Sequence, residues 1–241
     1  MSFLELHDVT KTYPSRSEDV TPLRHLDLVV ERGEFVALMG PSGSGKTTLI
    51  NLIAGIDVPT SGTIRVGTDE ISAMSPRALA RWRTRHMGFV FQQYNLIPVL
   101  SAYENVELPL LLLPLSRAER AAKVGTALEA VGLSDRASHL PRMLSGGQQQ
   151  RVAVARALVA GPELVLADEP TGNLDETAAE AVLSLLSALH RRFHQTFVMV
   201  THDPRAAAVA ERVVRLDKGH ITSDTSREVV SPVGAPSGAT P

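Results

Sequence analysis

One octapeptide constrains this chain more than any other segment. Gly40-Pro41-Ser42-Gly43-Ser44-Gly45-Lys46-Thr47 fits the pattern G-x-x-x-x-G-K-[ST]. An apolar run, Phe35-Val-Ala-Leu-Met39, precedes it, and residues 46–53 read as a helix that opens directly from it. Strand, glycine-rich loop and helix form the context in which this pattern grips phosphate. Glycines let the backbone curl until consecutive N–H groups converge on phosphate oxygens. The helix start adds positive partial charge. Lys46 is expected to reach the β- and γ-phosphates, and the Thr47 hydroxyl to ligate Mg²⁺.

Two further apolar runs, 164–167 and 196–201, resemble the strand before the loop. None of the three alternates polar with apolar residues, as expected of parallel strands covered on both faces. Residues 177–193 place Val182, Leu185, Leu186, Leu189 and Phe193 on one helical face. A second helix is expected over 146–160, stopped by Gly161-Pro162. Strands alternating with helices predict an α/β core. Residues 93–143 differ: Ser101…Glu104 and Ser116…Glu119 are capping-box patterns, each opening a helical run, and Gly132 can close the second. An inserted all-helical subdomain follows from that. The first thirty residues alternate loosely, with Leu26 and Leu28 against Asp27, and predict a small antiparallel side sheet. The expected layout is one domain over 1–222, its core at 1–92 and 144–222 and its helical insert at 93–143, followed by a disordered Ser/Thr/Gly/Pro-rich tail over 223–241.

Composition closes off other classes. At 241 residues, 44% hydrophobic and 21% charged, the chain can bury a sizeable core. A net charge of -2 leaves no basic field for a nucleic-acid backbone, so no nucleic-acid partner is expected. With no cysteine, there can be no disulfide, thiolate metal site or cysteine nucleophile. The longest aliphatic stretch, 108–115, is broken by Pro109 and Pro114, whereas a spanning helix needs about 20 apolar residues. The start, MSFLELHDVTKTY, lacks the charged-then-apolar order of a signal peptide, and a cytoplasmic location is expected.

Downstream, Leu164-Val-Leu-Ala-Asp168-Glu169 is an apolar strand ending in two acids. Ligands in such sheets sit at the carboxyl ends of the strands, so both acids should face the phosphate loop. Asp168 is then the outer-sphere partner of Mg²⁺. Glu169 is left to orient or deprotonate an attacking water.

Leu144-Ser145-Gly146-Gly147-Gln148 resembles the signature motif of ATP-binding-cassette ATPases, and the resemblance covers about 3–218. It implies a P-loop NTPase (RecA-like) core, ATP and Mg²⁺ as ligands, and a nucleotide site contributed by residues 40–47 and Thr48. Tyr13 resembles the aromatic that stacks on adenine, with a packed core tyrosine as the minor alternative. Gln92 resembles the glutamine that contacts Mg²⁺ and links core to helical insert; Gln93 follows it, and the choice between them rests on the family pattern. His202 resembles the histidine that contacts the γ-phosphate, and Asn173-Leu-Asp175 the loop that crosses a dimer interface. The catalytic set implied is Lys46, Gln92, Glu169 and His202, with Thr47, Gln92 and Asp168 toward the metal. Ser145, Gly146, Gly147, Gln148 and Asp175 serve a nucleotide held by the opposite subunit. The spelling of 88–98 and 167–175 looks like the subfamily of lipoprotein-release complexes, macrolide exporters and the cell-division ATPase. The resemblance implies a head-to-tail dimer, with itself or a paralogue, driving an integral membrane permease from the inner face of the cell membrane. The 108–113 stretch is a candidate contact surface, with a core helix as its plainer reading. A soluble regulatory ATPase, or an ATP-dependent scaffold for an envelope or division complex, is the alternative.

Overall fold

A computed structural model of the chain describes residues 2–15 and 18–226. In chain order the elements are β1 (Ser2–Tyr13), β2 (Val20–Glu31), β3 (Phe35–Met39), α1 (Lys46–Ile53), β4 (Ser61–Val66), β5 (Asp69–Glu70), α2 (Pro76–His86), β6 (Met87–Val90), α3 (Ala102–Glu107), α4 (Arg117–Ala130), α5 (Gly146–Leu158), β7 (Leu164–Asp168), α6 (Glu176–Phe193), β8 (Thr196–Val200), α7 (Pro204–Ala207), β9 (Arg212–Asp217) and β10 (His220–Ser226). Among the described residues the strands form two sheets, ordered β2-β1-β4-β5 and β10-β9-β3-β8-β7-β6. The first is antiparallel throughout. In the second, β9, β3, β8, β7 and β6 run parallel and β10 pairs antiparallel with β9.

The unbroken apolar runs serve two cores at once. Phe35, Ala37, Met39, Val165, Ala167, Phe197 and Met199 point to one face, where they meet α5, α6 and the buried sides of α3 and α4. Their neighbours Val36, Leu38, Leu164, Leu166, Val198 and Val200 point to the other, where α1 and the antiparallel sheet cover them. A strand enclosed on both sides has no polar alternation to show. In β2, with one face in water, Leu26 and Leu28 are buried and Asp27 exposed.

The helix starts follow local chemistry. Ser101 and Ser116 each accept a hydrogen bond from the backbone N–H of Glu104 and Glu119, whose carboxylates accept at 2.7 Å from the Ser N–H groups. An N-cap of this kind is worth about 1 kcal/mol. Gly132, at φ 66°, turns the chain after α4. Helix α5 ends at Leu158, two residues short of the expected 160, and α6 starts at Glu176 because Asp175 caps it, accepting from Ala178 N–H at 2.8 Å. The 108–113 stretch is neither a core helix nor wholly exposed. A 3-10 helix, Leu108–Leu112, buries Leu110 and leaves Leu112 in water.

Residues 223–226, expected to belong to the tail, are instead part of a strand. They complete β10, in register with β9 as far as Ser226 opposite Arg212. Composition missed this because an edge strand is held by backbone pairing and by charge. The Arg212 guanidinium donates to both oxygens of Asp224 at 2.6 Å and also reaches Glu34. These carboxylates push the Arg212 pKa up. Residues 227–241 of the expected tail lie outside the described residues.

Candidate active site

Strands β3, β8 and β7 are adjacent and parallel, so their carboxyl ends open on the same side. The phosphate loop leaves β3, Asp168 ends β7 with Glu169 next, and His202 follows β8. One cavity of about 690 Å³ gathers Tyr13, Ser42, Gly43, Gly45, Lys46, Thr47, Thr48, Asp168, Glu169 and His202. Three lining residues were not anticipated: Val20, Pro22 and Val200. Val20 arrives through register, as the cross-strand partner of Tyr13. The hydrophobic pattern of the hairpin is the signal that could have placed it.

The rest of the loop builds the cradle. Lys46 is almost wholly buried, and its ammonium donates to the Gly40 and Pro41 carbonyls at 2.7 and 2.8 Å. Ser44, also buried, offers its hydroxyl at 3.5 Å. Gly45 has φ 102°, and a Cβ there would lie 2.4 Å from the Pro22 carbonyl oxygen. Only glycine lets α1 start against β2 at that distance.

Glu169 also sits in the left-handed region, at φ 46°, a costly conformation for a residue with a Cβ. Its backbone is pinned, with N–H donating to Val200 O at 2.9 Å and C=O accepting from Gly172 N–H at 3.0 Å. Its carboxylate meets His202 Nδ1 at 2.8 Å. Asp168 beside it has a raised pKa. Burial is the main cause and the Glu169 charge adds to it, while the Lys46 ammonium pulls the other way.

Other predicted residues lie outside this cavity. Gln92 is exposed, its amide donating to Asn173 Oδ1 at 3.4 Å while Asn173 Nδ2 donates to Gln92 O at 3.2 Å. These bonds tie the glutamine to the loop after Glu169 and away from Lys46. Ser145, Gly146, Gly147 and Gln148 open α5 as a capping box: Ser145 Oγ accepts from Gln148 N–H, and Gln148 Oε1 from Ser145 N–H at 2.9 Å. Ser145 is exposed. Asp175 is exposed too and caps α6. Within this chain these residues organise helix ends and do not line the cavity.

A groove elsewhere, of about 360 Å³, is lined by Phe89, Phe91, Leu108, Pro109, Leu112 and Arg156 among others. Among the described residues no helix is long and apolar enough to cross a membrane.

Known proteins share this arrangement. Residues 23–172 match the sequence profile of the family described as ABC transporter. The uncharacterized ABC transporter ATP-binding protein YvrO of Bacillus subtilis (strain 168) is 47% identical over 226 residues, 94% of this chain and 98% of its own length. The macrolide export ATP-binding/permease protein MacB of Rhodopseudomonas palustris (strain BisB18) is 46% identical over 99% of this chain, which spans only 36% of that relative. A solved structure described as a dimeric post-hydrolysis state of the ATP-binding cassette MJ0796 bound to ADP and Pi superposes with a TM-score of 0.85. It is 41% identical and covers 92% of this chain and 98% of its own. With the phosphate loop, the two acids and the histidine converging on one cavity, the chain belongs to the ABC transporter family, as its ATP-binding and ATP-hydrolysing cassette.

Proposed function

We propose that two copies of this chain, or one copy and a paralogue, bury two ATP molecules head to tail and drive a separate membrane-embedded permease. One observation carries this reading. The signature residues stand at the exposed start of α5, outside the cavity that holds the phosphate loop. A helix start is an anion site, and this one is completed by a nucleotide from a second chain. The γ-phosphate then bridges the phosphate loop of one subunit and Ser145, Gly146 and Gly147 of the other. The dimeric arrangement described for MJ0796 supports this reading.

In this reading Lys46 neutralises the β- and γ-phosphates, and Tyr13 stacks on adenine. Glu169 orients a water for attack on the γ-phosphate and takes its proton. His202, paired with Glu169 at 2.8 Å, fixes that carboxylate and reaches the γ-phosphate. Gln92 acts through its link to Asn173, connecting the helical insert over 93–143 to the core. Asp175 lies on the crossing loop at the dimer interface. The donors suit Mg²⁺: the Thr47 hydroxyl and Asp168 carboxylate are hard oxygens lining one cavity, and burial penalises an uncompensated Asp168 charge. Mg²⁺ keeps most of its shell as water and phosphate oxygens and needs few protein ligands. When bound, it would supply countercharge to the phosphates, with the Gln92 amide oxygen as a further ligand.

Swinging an open–closed equilibrium from 1:99 to 99:1 takes about 5.5 kcal/mol of differential affinity. Two bridging γ-phosphates, each in several charge-assisted hydrogen bonds, can supply it. Hydrolysis removes the bridge and the dimer opens. The permease docks in the groove at Phe89, Leu108 and Leu112, beside the loop that follows Gln92. In this reading the chain sits on the cytoplasmic face of the membrane, with substrate choice left to the partner. The MacB relatives, which join ATP-binding and permease functions in one protein, support such a partner.

Glu169→Gln tests the reading, because the amide keeps the size of the side chain but cannot take the proton. The variant is expected to bind ATP, to lose turnover and to run as a stable dimer with ATP on a sizing column. Hydrolysis at the parent rate would remove Glu169 from its role.

A further inference from the structure

Tyr13 is held by more than its strand. Its hydroxyl donates to Asp57 Oδ2 at 2.7 Å, and Thr48 lines the same cavity. The other Asp57 oxygen accepts from Lys11 Nζ at 2.7 Å, and that ammonium also reaches Val58 O at 2.8 Å. Lys11 Nζ stands 4.7 Å from the centroid of the Tyr13 ring. Lys11 is only 8% exposed, while Tyr13 is 40% exposed and lines the nucleotide cavity. A buried cation thus takes one face of the ring. Asp57 is itself fixed to the phosphate-loop helix, since the N–H groups of Ile56 and Asp57 both donate to Asn51 O, at 3.0 and 3.2 Å. Thr48 belongs to the first turn of that helix and Asn51 to its last.

We propose that Lys11 and Asp57 are positioning residues that lock Tyr13 as the platform for the nucleotide base and weld that platform to helix α1. The inference rests on the reading of Tyr13 as the base-stacking residue. A tyrosine at the end of a strand would otherwise lose rotamer freedom each time a nucleotide bound. Ordering it beforehand removes that cost from binding. The weld also fixes the base platform relative to the loop that cradles the phosphates. Base and triphosphate therefore meet one rigid body.

A second consequence concerns selectivity. The Tyr13 hydroxyl is engaged by Asp57, and beside it the described lining residues Val20 and Pro22 offer no side-chain hydrogen bond. Stacking does not read base edges, so any purine triphosphate is recognised through the same platform. Charge directions agree with the geometry. Burial alone would raise the Asp57 pKa, but the hydrogen bonds from Lys11 and Tyr13 outweigh it and leave it lowered. Tyr13 is raised, by burial first and then by Asp57.

The test is a binding titration of the full chain with ATP, GTP and inorganic tripolyphosphate, each with Mg²⁺. Asp57→Asn and Lys11→Met are each expected to weaken ATP and GTP about 3- to 10-fold, by loss of the ring's anchors. Tripolyphosphate should stay within about 2-fold, because it has no base to stack. Tyr13→Phe keeps the ring and the Lys11–Asp57 ion pair intact, and should reproduce part of the loss. Combined with Asp57→Asn it should be no weaker than the worse single variant, since both act through one hydroxyl. If either charged-site variant unfolds early in a melt, Tyr13→Phe alone carries the comparison. Equal losses for ATP and tripolyphosphate, or additive effects in the double variant, would mean that Asp57 merely stabilises its loop and would overturn the proposal. Loss with Tyr13→Ala but none with Tyr13→Phe, Asp57→Asn or Lys11→Met would overturn it too. Unchanged ATP affinity in Tyr13→Ala would instead remove the stacking role of Tyr13, and this inference with it.

Discussion

At Lys46 one ammonium serves two partners in turn. It closes the loop on itself through the Gly40 and Pro41 carbonyls, and in the proposed function it neutralises phosphate. Lys46→Ala removes both. A hydrogen bond to a charged group is worth about 1.5–3 kcal/mol, so ATP binding should weaken roughly 10- to 100-fold in a calorimetric titration; unchanged affinity would contradict the assignment. Asp57 gives a pH signature. Its folded pKa lies below the ordinary 3.8, so its contribution to stability is full above that pH and fades as pH falls through the depressed value. Melting curves of parent and Asp57→Asn should therefore converge below about pH 4. Lys46, Asp168, Glu169 and His202 were legible in the sequence because motif spacing and strand ends place them without tertiary knowledge. Val20, Pro22 and the Asp57 anchor were not. They reach the site by strand register, which only the pairing of the hairpin's hydrophobic pattern could reveal, and by a loop folding back, which leaves no periodic trace.

Helix α5 connects the parts of the site that the cavity does not hold. Gln150, fully buried within it, donates through Nε2 to Pro170 O at 2.6 Å and to Phe91 O at 3.3 Å. Those carbonyls neighbour Glu169 on one side and Gln92 on the other. Further along, Arg156 holds the Tyr94 and Asn95 carbonyls. Gln150→Leu cannot donate, and it leaves two carbonyls short of a partner at about 1–3 kcal/mol. Turnover is expected to fall while ATP affinity, set by the phosphate loop, stays. A parallel drop in affinity would show that the effect is not confined to the catalytic loops. The approach of α5 to β6 is just as strict: a Cβ on Gly88 would fall 2.1 Å from Ala157 O. Gly88→Ala should lower the melting temperature, by overpacking worth about 1–3 kcal/mol. Capped helices α3 and α4 were readable because side chains three residues apart announce their starts, and α5 because Gly161-Pro162 announces its end. Helix α2 was not. It is arginine-rich, and of its residues only Leu79 and Trp82 are buried. Four-residue β6 is too short for any period to emerge.

For the whole molecule, the head-to-tail arrangement makes a claim that no single chain can satisfy. Lys46→Ala spoils a phosphate loop and Ser145→Arg spoils a signature. In a mixed dimer, one composite site inherits both defects and the other inherits neither. Mixing the two inactive proteins is therefore expected to restore part of the ATP turnover, measured as phosphate release. A mixture as inactive as its parents would argue against shared sites. Such a dimer must also come apart on every cycle, which gives the border of the larger sheet a second meaning. Strand β10 ends that sheet with Thr222, Ser223, Asp224 and Thr225, and Arg212 clasps Asp224. A strand at the border of a sheet invites stacking of copies into fibres unless charge and polarity discourage it, and among the described residues this border carries both. This hydrophilic hem leaves ATP as the adhesive between copies, so their union stays reversible and obeys the nucleotide.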